Sequence, residues 1–583
     1  MTMNKESNIL RKDMILIVLL LFAASMMAQQ LSEQEAKLKA VAFLTKGRRA
    51  NGNIRNMTQQ RDATIQQLHT VKGNLEKLFA FNVDGGGYVI VSGDRRTLPI
   101  LGYSDEGVID FNNMPDNMQA WLKGYEQTIA ALGDADNLGE QDQPAANRPA
   151  VEPMLKTKWN QLYPYNKLCP VFDGTLNPDW EGKSGATGCV VTAMSMLMKY
   201  HEWPNEKCKP IPSYTFSYTY DNNTLDTMTL HALPALRFDW ANMLDIYSEN
   251  KSSATDTEEQ QKAVAELMQY CGQAVHMRYT PIGSGAPSVF VAKALMGYFD
   301  YDRDLRFVSR AFYGIDEWEN MIYHEIAEGR PVYYAGFTDE EGHAFVCDGY
   351  DGEGLFHINW GWSGNNDGYF LLSVLNPNDN TSIGSSNSNL GYSMGQEAVI
   401  GIQPAAPGSP EIIDEPYFYL GKDLEYDEEE QSLSVWVNHW WLKSDTINVD
   451  ISLCSSDKEG NLKEHYVSQP QMIDAIEWNE FVIPIDDISL EEGINTKLYP
   501  CVRSIGSGVE QWQRLTPDFQ YFEATRMDGV TLIRINPELD LGISSIRHDN
   551  ETDDRWYTLK GIRIAPPIST GIYIKGKKVI IIK

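Results

Sequence analysis

Apolar positions along this chain recur in two periods, and the change from one to the other marks out its regions. Ser32 and Glu35 have capping-box spacing ahead of a helix that runs through Leu44. The runs Leu78-Phe79-Ala80-Phe81-Asn82-Val83 and Gly87-Tyr88-Val89-Ile90-Val91-Ser92 flank a glycine-rich turn at 85–87, which predicts a hairpin. Residues 113–132 read as a helix. Four further helices are predicted at 189–200, 257–273, 289–299 and 316–328. Pro204 stops the first, and Ala263, Val264, Leu267 and Met268 give the second its core spacing. After Pro331 the period shortens to that of strands, at 332–337, 343–350, 355–359, 368–374 and 398–402. Beyond Pro404-Ala405-Ala406-Pro407-Gly408-Ser409-Pro410 come alternating runs at 433–437, 447–453, 481–485 and 498–502.

Helices first and strands later suit an α+β region over 151–404, with a site between its two halves. An α+β segment at 29–150 precedes it, and an all-β, sandwich-like region at 411–540 follows. The stretch 134–153 is polar, with prolines at 144, 149 and 153, and is the best candidate for an exposed, cleavable linker. Residues 550–583 form a separate tail.

The length of 583 residues fits three to five domains, and 42% hydrophobic with 11% aromatic residues is enough to build cores. A net charge of −31 argues against a nucleic-acid partner. Residues 1–28 read as a signal peptide: Lys5, Arg11 and Lys12 precede an apolar stretch at 14–24 that is short for a span, and Ala23, Ala24, Ser25 and Ala28 offer cleavage sites. Stable membrane insertion is therefore not expected. Seven cysteines are too few for a disulfide framework at this length, and their odd number leaves at least one free. Whether Cys169 and Cys208 pair stays open, and Cys347 on an apolar strand reads as inert.

Cys189 is the candidate free thiol. Gly185-Ala186-Thr187-Gly188 leads directly into it, and it opens the helix at 189–200. Backbone N–H groups and the dipole at a helix start favour the thiolate. The plainer reading is a small buried hydrophobe. Downstream, Gly342-His343-Ala344-Phe345-Val346 begins one strand, and Asn359 ends the next within Phe356-His357-Ile358-Asn359-Trp360-Gly361-Trp362. A thiol, an imidazole and an orienting amide far apart in sequence match a cysteine nucleophile with its base. Gly342 leaves room for a substrate backbone beside that base.

These residues carry a family resemblance. Trp159-Asn160-Gln161, Thr187-Gly188-Cys189-Val190, Gly342-His343-Ala344-Phe345-Val346, Asn359-Trp360-Gly361-Trp362 and Asp367-Gly368-Tyr369-Phe370 resemble the streptopain/interpain family of secreted bacterial papain-like cysteine proteases. The resemblance covers roughly residues 30–405. It implies a papain-like fold, protein or peptide substrates, and a zymogen whose own prodomain is the inhibitor. It implies catalytic roles for Cys189 and His343, with Gln161 as a donor to the oxyanion. It also implies that Asn359, Trp360 or Trp362 orients or covers the imidazole; which one does so stays open. Gly283-Ser284-Gly285-Ala286-Pro287 resembles the family's substrate loop, making Ser284 and Gly285 candidate substrate contacts, although Gly285 stands where the family carries Ser. The family's pocket beside the scissile bond favours hydrophobic side chains. The segment 556–583 resembles C-terminal tails of secreted Bacteroidetes proteins, some of which are sorting signals for type IX secretion; an ordinary terminal hairpin is the alternative.

Other motifs fail. His201-Glu202 lacks the second His of a zinc helix, Gly283-Ser284-Gly285 is too short for a dinucleotide fingerprint, and 348–352 lacks calcium-loop spacing. No metal and no organic cofactor are expected, only reducing conditions. Against the secreted endopeptidase stand two other readings, a cell-wall amidase using the same dyad and a non-catalytic surface binding protein on the old scaffold.

Overall fold

The computed structural model describes residues 29–45, 68–132, 148–373 and 396–535 and the strands between 556 and 582, with short interruptions that include 220–224, 338–341 and 407–415. The signal-peptide reading at 1–28 and most of the predicted linker lie outside the described residues. The principal elements, in chain order, are α1 (Glu33–Thr45), β1 (Leu68–Val71), β2 (Leu78–Val83), β3 (Tyr88–Ser92), β4 (Ile100–Ser104), α2 (Asp116–Ala131), α3 (Cys189–His201), β5 (Tyr214–Thr219) and β6 (Leu225–Leu230). There follow α4 (Glu258–Ala274), α5 (Val289–Tyr298), β7 (Arg306–Ser309), α6 (Ile315–Ala327), β8 (Val332–Phe337), β9 (Gly342–Tyr350), β10 (Phe356–Asn359), β11 (Gly368–Phe370) and β12 (Glu397–Ile400).

Local chemistry places most of these elements. Ser32 and Glu35 exchange capping bonds ahead of α1. Thr257 and Gln260 do the same ahead of α4. The predicted hairpin is β2–β3, paired in register from Leu78↔Ser92 to Asn82↔Tyr88. The β5–β6 hairpin and the strands β1, β4 and β7 were not legible as strands, because none combines a run of alternation with a strong turn signal.

The organising feature is a ten-stranded sheet in the order β1-β2-β3-β4-β11-β10-β9-β8-β12-β7. Its first four strands come from the N-terminal segment and join the rest edge to edge through β4 and β11, at Tyr369↔Tyr103 and Phe370↔Gly102. Gly102 is required at that seam, since a Cβ there would lie 2.6 Å from Cδ1 of the Phe370 ring. The two faces of the sheet carry different cores. Tyr333, Ala335, Ala344, Val346 and Val399 pack with α3, α4 and α5. Tyr334, Phe345, Cys347, Ala398 and Ile400 pack with α1, α2 and α6. Alternation along each strand sends successive residues to opposite faces.

Residues 417–535 build two further sheets around one shared core. Leu433, Val435 and Val437 contribute from one, and Val449, Ile451 and Leu453 from the other. This is the sandwich-like arrangement that the alternating runs predict. The chain up to residue 539 forms one compact unit and 540–583 a second. In the latter, Trp556–Thr558, Arg563–Ile564, Gly571–Lys575 and Lys578–Ile582 form a small antiparallel sheet.

Candidate active site

Cys189 is the first residue of α3, and Gly188 before it adopts φ 85° and ψ 147°. The positive φ favours glycine, and space demands it, because a Cβ at Gly188 would lie 2.7 Å from the Ser284 carbonyl oxygen. The predicted substrate loop therefore rests directly on the turn that presents the thiol. Ser284 fixes the loop through its hydroxyl, which donates to the Ala186 carbonyl (2.8 Å) and accepts from the Thr280 N–H (3.1 Å). Gly285 pairs with Arg278, and the position of its missing side chain faces open space.

Gln161 reaches the same turn from the other side. Its carbonyl oxygen accepts the Thr187 N–H (3.0 Å), two residues before the thiol. Across from α3 lies β9. Gly342 opens that strand opposite Phe337, and His343 follows opposite Gly336. His343 is half-buried, and the next backbone N–H, that of Ala344, points at the Cys189 sulfur. The Val190 N–H also bonds the sulfur. The fold thus brings Gln161, Gly188, Cys189, Ser284 and the start of β9 together.

The electrostatics depart from one expectation. Burial pushes the Cys189 thiol above its ordinary value, and the Ala344 and Val190 N–H groups draw it back only in part. The donors expected at a helix start are present, but desolvation outweighs them. All seven cysteines are free, so Cys169 and Cys208 do not pair. Cys189 alone among them is half-buried; the other six are buried. Burial pushes Cys169 and Cys271 to about 12, and Cys347 well above its ordinary value.

Asn359 is where the predicted arrangement changes. It ends β10 and is buried, but its Nδ2 donates to the Thr157 carbonyl (2.9 Å) and its Oδ1 accepts the Gly361 N–H (3.0 Å). These bonds tie two backbone segments together and do not run to the imidazole. Trp360 is wholly buried on the second face of the sheet, against Phe345 at 4.8 Å between ring centroids. Its carbonyl accepts from the Asn117 amide at the start of α2 (2.6 Å). Trp362 is half-buried and packs against the same core.

A second polar group escaped the sequence reading. His357 Nδ1 lies 2.6 Å from the fully buried Asp348 carboxylate. Burial alone would lower the His357 pKa, but the charge and hydrogen bond of Asp348 raise it. Asp367 accepts the Trp360 N–H, and burial pushes its carboxyl up to about 6. The sole sequence signal was a polar residue at an inward position of an apolar strand, which is too common to single out. Among the described residues no helix is long and apolar enough to cross a membrane.

Residues 159–370 match the model of the peptidase C10 family, and residues 28–129 match that of the Spi protease inhibitor. The chain is 33% identical over 382 residues to streptopain of Streptococcus pyogenes, an alignment covering 64% of this chain and 92% of streptopain. It is 35% identical over 377 residues to the thiol protease/hemagglutinin PrtT of Porphyromonas gingivalis, covering 62% of this chain but only 41% of that protein. Among solved structures, a prointerpain A fragment from Prevotella intermedia aligns with 29% identity and a TM-score of 0.46, over 57% of this chain and 98% of the fragment.

Proposed function

The chain belongs to the peptidase C10 family of cysteine peptidases, and from that premise we propose that it is a secreted endopeptidase, made as a zymogen, that cleaves peptide bonds with Cys189 as nucleophile and His343 as base. The observation that carries this reading is the Cys189 sulfur sitting on the N–H of the residue that directly follows His343.

In the proposed reaction His343 takes the Cys189 proton, and the imidazolium holds the thiolate that burial alone would disfavour. The sulfur attacks the substrate carbonyl. The Cys189 N–H at the start of α3 and the Gln161 side-chain amide serve the oxyanion, and losing one such donor typically costs about 2.7–4 kcal/mol of barrier. Nitrogen leaves with the proton from His343, and a water activated by the same imidazole then hydrolyses the thioester. Ser284, Gly285 and Gly342 line the approach. Asn359 acts in this scheme as a positioning residue, since its bonds to Thr157 and Gly361 tie the end of β10 to the segment that leads into Trp159-Asn160-Gln161. Trp360 and Trp362 serve packing beside it. The 29–150 segment acts as the inhibitor, supported by the match of residues 28–129 to the Spi inhibitor model and by its strands completing the sheet of the peptidase region.

The test is autoprocessing of residues 29–583 beside the Cys189→Ala variant under reducing conditions. The parent is expected to lose its first 115–125 residues, read by gel and N-terminal sequencing, and to gain thiol-dependent cleavage of casein. The variant is expected to stay whole. If both stay whole, the prodomain is cut by an added protease and casein assayed again; continued inactivity overturns the reading.

A further inference from the structure

We propose that Glu397 forms the floor of the side-chain pocket beside Cys189 and selects a lysine or arginine side chain of the substrate. This rests on the peptidase reading above and deepens it. The resemblance to the family implies a hydrophobic preference there; Glu397 lies beyond residue 370, where the peptidase match ends.

The argument is one transverse row of the sheet. Glu397 on β12 is the register partner of Ala335 on β8, and Ala335 is the partner of Ala344 on β9. Directly opposed residues of antiparallel strands point to the same face. That face is the one packed with α3, since Ala335, Ala344 and Val399 all belong to its core. The Ala344 N–H touches the Cys189 sulfur. Strands lie about 4.8 Å apart, so two spacings put Glu397 roughly 10 Å from the backbone beside the thiol. Between the two ends stand only two alanine side chains in that row.

The far end of the row is polar. The Glu397 carboxyl bonds Ser288, at the start of α5, and the Ser288 hydroxyl lies 3.2 Å from the Tyr333 hydroxyl. Tyr333 and Ser288 are buried. Glu397 is only half-buried, although β8 and β7 flank it on either side. No ion pair to Glu397 is present among the described residues. A half-buried carboxyl that carries no ion pair among the described residues is poised to take up a substrate cation. A lysine or arginine stem suits the two alanines, and its head suits the carboxylate and the Ser288 hydroxyl. Burial holds the Glu397 carboxyl up at about 8, and a cation beside it favours the carboxylate, the proton passing to solvent.

The experiment is a set of fluorogenic peptides in which arginine, lysine, norleucine and valine replace one another at each of the two residues preceding the cleaved bond. The activated parent is expected to prefer arginine or lysine over norleucine at one of the two. Glu397→Gln is expected to lower kcat/KM for the basic peptides by roughly 10- to 100-fold, the range of a lost charge-assisted hydrogen bond, and to leave norleucine within about threefold. The norleucine rate reports that the variant folds; if Glu397→Gln does not fold, Glu397→Ser carries the same comparison. No basic preference in the parent, or an unchanged basic-to-norleucine ratio in the variant, overturns the proposal while the peptidase reading stands. Absence of any cleavage that Cys189→Ala removes overturns both.

Discussion

The two faces of the ten-stranded sheet both carry buried cores but draw them from different parts of the chain. On one, Ala335, Ala344 and Val346 meet Val190, Val191 and Met194 of α3, so every partner comes from the chain after residue 151. On the other, Tyr334, Phe345 and Trp360 meet Trp121 of α2, with ring centroids 6.1, 5.4 and 6.3 Å from it. That face is closed jointly by segments before and after the predicted linker. A cut in the linker therefore leaves the thiol's face whole and divides the other between two pieces. The difference teaches where a segment that matches an inhibitor model is placed in such a chain. Here the inhibitor-like segment completes a sheet and a core, and it meets β9 from the face opposite Cys189, through residues such as Phe345 that alternate with Ala344.

The comparison breaks most visibly at Trp121. Trp121→Ala in the Cys189→Ala chain is expected to cost about 3–5 kcal/mol in urea unfolding, because it empties the centre of the shared face. A loss below about 1 kcal/mol would mean that the two segments do not share one core. Gly188→Ala probes the other face. A Cβ at φ 85° against the Ser284 oxygen is expected to cost on the order of 1–3 kcal/mol and to lower kcat at least about tenfold, with prodomain affinity unchanged. Full activity in that variant would show that the thiol turn tolerates displacement.

The smallest effect is a pH dependence at the seam. Asp367 titrates near 6 when folded against an ordinary 3.8, so the folded chain binds its proton more tightly than the unfolded chain. That contribution is whole below about pH 4 and is lost as pH rises through about 6. His357, also raised, adds loss in the same direction from its ordinary 6.5 upward. Stability is expected to fall across this window, and Asp367→Asn to flatten its acid half by about 1–2 kcal/mol. Parallel stability curves for the two proteins from pH 4 to 6 would remove Asp367 from the account.

Much of this was written in the chain. Gly188-Cys189 ahead of an apolar helical run, the capping residues Thr257 and Gln260, the glycine-rich turn of the β2–β3 hairpin, and His343 at a strand start are local signals, and the elements formed where they predict. Such signals survive because caps, turns and side-chain periods act over a few residues and are indifferent to the rest of the fold. What only the tertiary structure decided are pairings across long separations. These are the seam of β4 with β11, the use of the Asn359 amide to tie Thr157 to Gly361, the Ser284 oxygen that excludes a side chain at Gly188, and the row that sets Glu397 in line with Ala344. A strand carries its alternation in its own residues, but its neighbour and register are settled by what both bury together, and that sum is taken over the whole chain.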